Sequence, residues 1–183
     1  MKAIIFICSL LFFGCHTNAP PKLIEPYGFY LHCIEGECFT EDEIVTVFDN
    51  TVSVLIEVLP EKYDVATIKN KVSEYRGKVE IYLKRPHIWS VTKKKYLGFR
   101  LSSGKVAFGF IRPYRKNNVR HISIKVSLMK DRCFSYNILS HEIIHMLSWL
   151  LENDLQASHD NDMLWKDALK RVKSKNRNTI CKG

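Results

Sequence analysis

The stretch Ser135–Leu151, SYNILSHEIIHMLSWLL, decides how the rest of the chain reads. It contains no Gly or Pro and is apolar at Ile138, Leu139, Ile143, Leu147, Leu150 and Leu151. That spacing predicts a helix, with Ser135 as the expected N-cap. On such a helix His141 and His145 stand one turn apart, roughly 6 Å along the axis, so both imidazoles can address one cation from a single face. Glu142 stands one residue round, able to reach a water on that cation without being a ligand. A helix apolar on its other faces has no packing reason to bury two imidazoles and a carboxylate. His-Glu-x-x-His on a helix is a zinc-binding arrangement in which the carboxylate serves as general base.

Two imidazoles and a water leave a tetrahedral zinc one protein ligand short. Downstream stand Glu152, Asp154, His159, Asp160, Asp162 and Asp167. Glu152 falls two turns past His145, roughly 10 Å away, and a continuing helix carries it out of reach. The polar break ENDLQAS at 152–158 lets the chain turn back, after which Met163, Leu164, Ala168, Leu169 and Val172 recur at helical spacing. His159, at the start of that returning segment, is the expected third ligand, with Asp160 or Asp162 as its substitute.

From His141 to Val172, the order His-Glu-x-x-His, polar turn, third His and apolar helix resembles the SprT-like zinc metallopeptidases. Asp160 stands where that family often has Gly, and Met163 takes its aromatic position. The resemblance covers about the last quarter of the chain, and the four-cysteine zinc ribbon common in the family has no counterpart here. It implies a zincin-like endopeptidase domain holding Zn2+ through His141, His145 and His159, with Glu142 as the catalytic base.

The chain opens with Met1-Lys2, an apolar run from Ala3 to Phe13, then Gly14-Cys15. A basic start followed by so short an apolar run predicts a signal peptide over 1–14, too short to remain as a membrane span. Gly14-Cys15 resembles a bacterial lipobox, which implies lipidation of Cys15 and a lipid-anchored place in the cell envelope, periplasmic or outer-membrane. Cleavage nearby and secretion is the other outcome. Residues 15–26, with Pro20-Pro21 and Pro26, read as a tether, leaving 27–183 as one domain.

Cysteine usage agrees with export. Setting aside Cys8 and Cys15, Cys33, Cys38, Cys133 and Cys181 allow three pairings. The short spacing around Gly36 favours Cys33–Cys38, which leaves Cys133–Cys181. No C-x-x-C spacing suggests a cysteine metal site.

Before the zinc helix, Thr40 to Glu43 forms a capping box. Ile44, Val45, Phe48, Val52, Leu55 and Leu59 follow at helical spacing, although their β-branching leaves a strand open for the second half. Asp64 is placed to cap a second helix that ends at Gly77. The period then changes to two, over Val79–Leu83, Val106–Phe110 and Ile122–Leu128, with a further strand at Tyr96–Leu101 and turns at Gly104 and Asn117-Asn118. His87 and His121 have no partners in these patterns and are not site candidates.

The expected fold is therefore α+β: N-terminal helices, a small mostly antiparallel sheet, the zinc helix and a C-terminal helix. By zincin analogy, a peptide substrate would add as a strand along the sheet edge beside the metal. With 28 Lys and Arg against 19 Asp and Glu, the formal net charge is +9. That balance favours acidic partners such as anionic headgroups or cell-wall polymers, while export argues against nucleic acid. The competing function is a non-catalytic, zinc-holding envelope lipoprotein that binds anionic partners.

Overall fold

The computed structural model describes residues 20–25, 27–34, 38–86, 88–90, 95–101, 106–155 and 167–181. The elements in chain order are β1 (Lys22–Ile24), β2 (Phe29–Cys33), α1 (Glu41–Val58), α2 (Val65–Glu74), β3 (Val79–Lys84), β4 (Ile88–Ser90), β5 (Lys95–Arg100), β6 (Val106–Ala107), β7 (Gly109–Lys116), β8 (Val119–Ser127), α3 (Arg132–Glu152) and α4 (Leu169–Thr179). The α+β class stands.

The main sheet runs β1-β2-β3-β8-β7, and a smaller one runs β4-β5-β6. The antiparallel pairing expected from the alternating patterns holds at β7–β8, β4–β5 and β5–β6. The centre of the main sheet differs, because β3 lies parallel to both β2 and β8. The reason is connectivity. A chain that leaves β2, forms α1 and α2 and then returns to β3 makes a crossover, and a crossover delivers a parallel neighbour. Strands β1 and β2 precede the first helix, so the order is not helices first. The fold also takes in residues ahead of the boundary expected at 27: Lys22–Ile24 pairs with β2, and Ile24 is fully buried.

Local chemistry explains the element ends. Thr40 and Glu43 form the capping box at α1, and the Asp64 side chain accepts from the Thr67 amide at α2. The first residues of α1 are acidic, which suits the positive end of a helix dipole. The β-branched second half of α1 remains helical because Thr51, Val54, Leu55 and Val58 are buried there, packing overriding propensity. Asn117 and Asn118 both take positive φ, 51° and 62°, in the two-residue β7–β8 turn. That geometry matches the twist of a hairpin and favours Asn.

Alternate residues of β3 (Val79, Ile81, Leu83) and of β8 (Ile122, Ile124, Val126) are buried in one core with residues of all four helices. The intervening positions form the other face, where Glu80 accepts from the Tyr82 and Tyr114 hydroxyls. His32 stacks on Tyr82 and His121 on Tyr114 in the same layer. His121 thus packs against an aromatic ring on the face of the sheet opposite the core.

Two polar ties fix α3. Glu43 accepts from Arg132 at 2.7 Å, from the Tyr136 hydroxyl and from its own cap amide at Thr40. Partial burial alone would raise the Glu43 carboxyl, but the hydrogen bonds from Tyr136, Thr40 and Arg132 outweigh it and hold the group below its usual range. Asn176 of α4, wholly buried, donates to Asn137 at 3.2 Å and Ser140 at 3.0 Å, and accepts from Asn50 of α1 at 3.0 Å. Cysteines pair as the spacing favoured, Cys33 with Cys38 and Cys133 with Cys181.

Asn176→Ala strips the buried Ser140 hydroxyl and the half-buried Asn137 carboxamide of their donor and removes an acceptor from Asn50, and is expected to cost about 2–4 kcal/mol in urea unfolding. Because its folded-state pKa is depressed, Glu43 adds stability that is present above the ordinary value of 4.5 and lost as pH falls through the folded value. The stability gap between parent and Glu43→Gln is therefore expected to be widest at neutral pH and to narrow in acid, as read by denaturant titrations from pH 7 to about 3.

Candidate metal and catalytic site

The helix expected from the opening stretch is α3, although it begins earlier than Ser135. Asp131 is the N-cap, its carboxylate accepting from the Phe134 amide at 3.2 Å. Ser135 lies buried in the first turn, where its hydroxyl accepts from the Met129 amide. Asp131 wins because an ionised oxygen caps the dipole better than a hydroxyl. From Ile138 to Ser148 nearly every residue is buried, so α3 is the central helix of the domain.

His141 and His145 project from one side of this helix, their ring centroids 5.0 Å apart. His145 is only 7 % exposed, and its Nδ1 lies 3.1 Å from the main-chain oxygen of Leu155. A carbonyl can only accept, so Nδ1 carries the proton and Nε2 is the ring nitrogen that bears the lone pair. Metal-binding histidines are commonly oriented in this way. The contact exists because α3 stops at Asn153, whose left-handed backbone (φ 56°, ψ 26°) turns the chain back along the helix.

Glu142 is 4 % exposed, and burial pushes its carboxyl up to about 8. No hydrogen bond or ion pair to it occurs among the described residues. A carboxylic acid buried without a protein partner is costly, and that cost is what a group reserved for chemistry looks like. A cation nearby would favour the ionised form and oppose the effect of burial.

Gly109, the first residue of β7, lies against this carboxyl. A methyl group added there would fall 2.6 Å from Ile138 Cγ2 and 2.8 Å from Glu142 Oε1. The absence of a side chain is what lets the strand lie so close to the Glu142 carboxyl. β7 is the last strand of the main sheet among the described residues, so sheet edge and α3 meet at Glu142.

Among the downstream candidates, Glu152 is the last residue of α3 and pairs with Lys62 at 2.7 Å. Asp167 pairs with Arg171 at 3.1 Å. Neither carboxylate is held for a metal. His159, Asp160 and Asp162 lie outside the described residues, as do Cys15 and the turn at Gly104. Among the described residues no cluster of three or more metal-binding side chains forms. The returning segment was expected to fold against the zinc helix, and α4 does so antiparallel to α3: Cys181 bonds Cys133 while Asn176 reaches Asn137 and Ser140. Its first residues therefore point toward the half of α3 that carries His145.

Three contributors to the site are not visible in the histidine spacing: Gly109, Asn153 and the Leu155 carbonyl. An isolated Gly between the alternating Phe108 and Phe110 is a signal for close backbone approach. The other two contribute through backbone geometry, which no side-chain pattern encodes. No family model, curated protein or solved structure matches the chain.

Gly109→Ala is expected to lower stability by about 1–3 kcal/mol through overpacking. Adding Ile138→Ala removes the colliding methyl, so the two costs should sum to less than their separate values in a urea-unfolding double-mutant cycle. Strict additivity would mean that the strand does not press on α3.

Proposed function

We propose that this chain is a zinc-dependent endopeptidase of the bacterial cell envelope, a reading in keeping with its resemblance to SprT-like metallopeptidases. The observation that carries it is the buried, unpartnered Glu142 beside two imidazoles, one of which has its Nδ1 proton committed to the Leu155 carbonyl. His141 and His145 would hold zinc, and His159 remains the proposed third ligand. Zinc bound there would act as a Lewis acid and bring the pKa of water toward ~7.

The chain's own groups supply the rest. Glu142 takes the proton from the attacking water and passes it to the leaving amine. Its buried setting favours this exchange, since a carboxyl whose pKa lies nearer neutrality can both accept and return a proton at neutral pH. The outer edge of β7, passing over Glu142, offers main-chain hydrogen bonds to an extended peptide. Binding through the backbone selects conformation more than side-chain identity, so unfolded protein is the substrate class. Lipidation at Cys15 would keep the domain at the envelope surface.

Glu142→Gln is expected to keep parental zinc content and to lose hydrolysis of an unfolded protein by at least a hundredfold. His159→Ala should lose both zinc and activity. Undiminished cleavage by Glu142→Gln would refute its role as base. Stoichiometric zinc in the parent without cleavage of any unfolded protein would instead favour the zinc-holding binding lipoprotein.

A further inference from the structure

The peptidase reading leaves α4 unused on its outer side. Every ionisable residue of this helix is basic: Lys170, Arg171, Lys173, Lys175 and Arg177. Val172 and Asn176 turn inward and are buried. Helical geometry puts Lys170, Lys173 and Arg177 on one outward stripe about 10 Å long, with Ser174 between them. All four are exposed, and among the described residues no acidic partner meets the three cations. The remaining cations are engaged, Arg171 with Asp167 at 3.1 Å and Lys175 with the Ser53 hydroxyl at 2.6 Å and Glu57 at 3.9 Å.

Beside the stripe, α1 and α4 enclose an open groove of about 330 Å³ lined by Val54, Glu57, Arg171, Ser174, Lys175 and Asn178. Two cations, a hydroxyl and a carboxamide face it against one carboxylate, a donor-rich lining suited to a phosphate oxygen. Unpaired like charges held side by side repel one another, so the stripe is stabilised by whatever brings negative charge to it.

Placement favours a membrane as the source of that charge. The first described residues meet the start of α1, where Lys22 pairs with Glu41 at 3.1 Å. The C-terminal end of α4 lies about 14 Å along the same helix, where Asn50 bonds Asn176 and Thr179. The described chain therefore begins near the end of α1 toward which α4 runs, and the apolar run 3–13 precedes it in sequence. We propose that the outer face of α4 is a docking surface for anionic phospholipid headgroups, with Lys170, Lys173 and Arg177 lying on the charged surface and the α1–α4 groove taking a phosphate. This holds whether or not the zinc site is a peptidase.

The test is co-sedimentation of the full chain with phosphatidylcholine vesicles, with and without about a third phosphatidylglycerol, at low and high salt. Any contribution of the apolar run is common to both vesicle types, so the ratio of the two partition coefficients isolates the charge effect. The parent should favour the anionic vesicles, and high salt should abolish that preference. Each basic residue near such a surface is worth about fivefold in partitioning, so Lys170→Gln/Lys173→Gln/Arg177→Gln should lose the preference by on the order of a hundredfold. Lys69→Gln/Arg115→Gln/Lys130→Gln, which removes the same charge elsewhere, should lose far less. Equal losses in the two triple variants would show net charge and no surface, overturning the proposal. So would an unchanged ratio in the first triple, or a larger effect of that triple on binding to duplex DNA than to anionic vesicles.

Discussion

The burial of one carboxamide, Asn176, sets the position of the helix that carries the site. It joins α1, α3 and α4 in the interior, donating to two groups of α3 and accepting from α1. A buried polar group tolerates only the geometry that satisfies it, so this junction fixes the rotation and height of α3 more tightly than apolar contacts alone. Ser140, one of its partners, immediately precedes His141. The orientation of the first imidazole is thereby tied to a hydrogen bond made from a helix distant in sequence.

The opposite side of α3 is defined by the sheet. β8 supplies a continuous apolar ridge of Ile122, Ile124 and Val126, while β7 comes close enough at Gly109 to touch the Glu142 carboxyl. Glu142 is thus held between a helix and a strand edge, almost wholly buried and, among the described residues, without a compensating donor. The fold accepts the cost of that arrangement because the surrounding apolar contacts are extensive.

Much of this was legible in residue patterns, for identifiable reasons. The capping boxes and side-chain caps at Thr40 and Asp64 are local, and local hydrogen bonds are encoded by residues a turn apart. The Asn117-Asn118 turn is equally local. The parallel centre of the sheet was not legible, since alternation along β3 shows that one face is buried and says nothing of strand direction. The strand at Lys22–Ile24 was missed because it is short and lies among prolines that read as tether, and Phe29–Cys33, inside the expected domain, because it is short and lies beside Gly28 and the Cys33–Cys38 turn. At the site, side-chain spacing identified His141, Glu142 and His145, whereas the proton on His145 depends on a main-chain oxygen brought round by the left-handed residue Asn153. Backbone contacts of that kind leave almost no trace in composition.

The bridge between Cys133 and Cys181 joins the beginning of α3 to the end of α4. At the other end of α3, the Leu155 carbonyl returns to the His145 ring. Such a covalent clasp closes only where thiols are oxidised. In a reducing compartment α3 and α4 would be fastened to each other by packing and hydrogen bonds alone. The redox state of its surroundings thus decides whether the two helix ends are covalently joined.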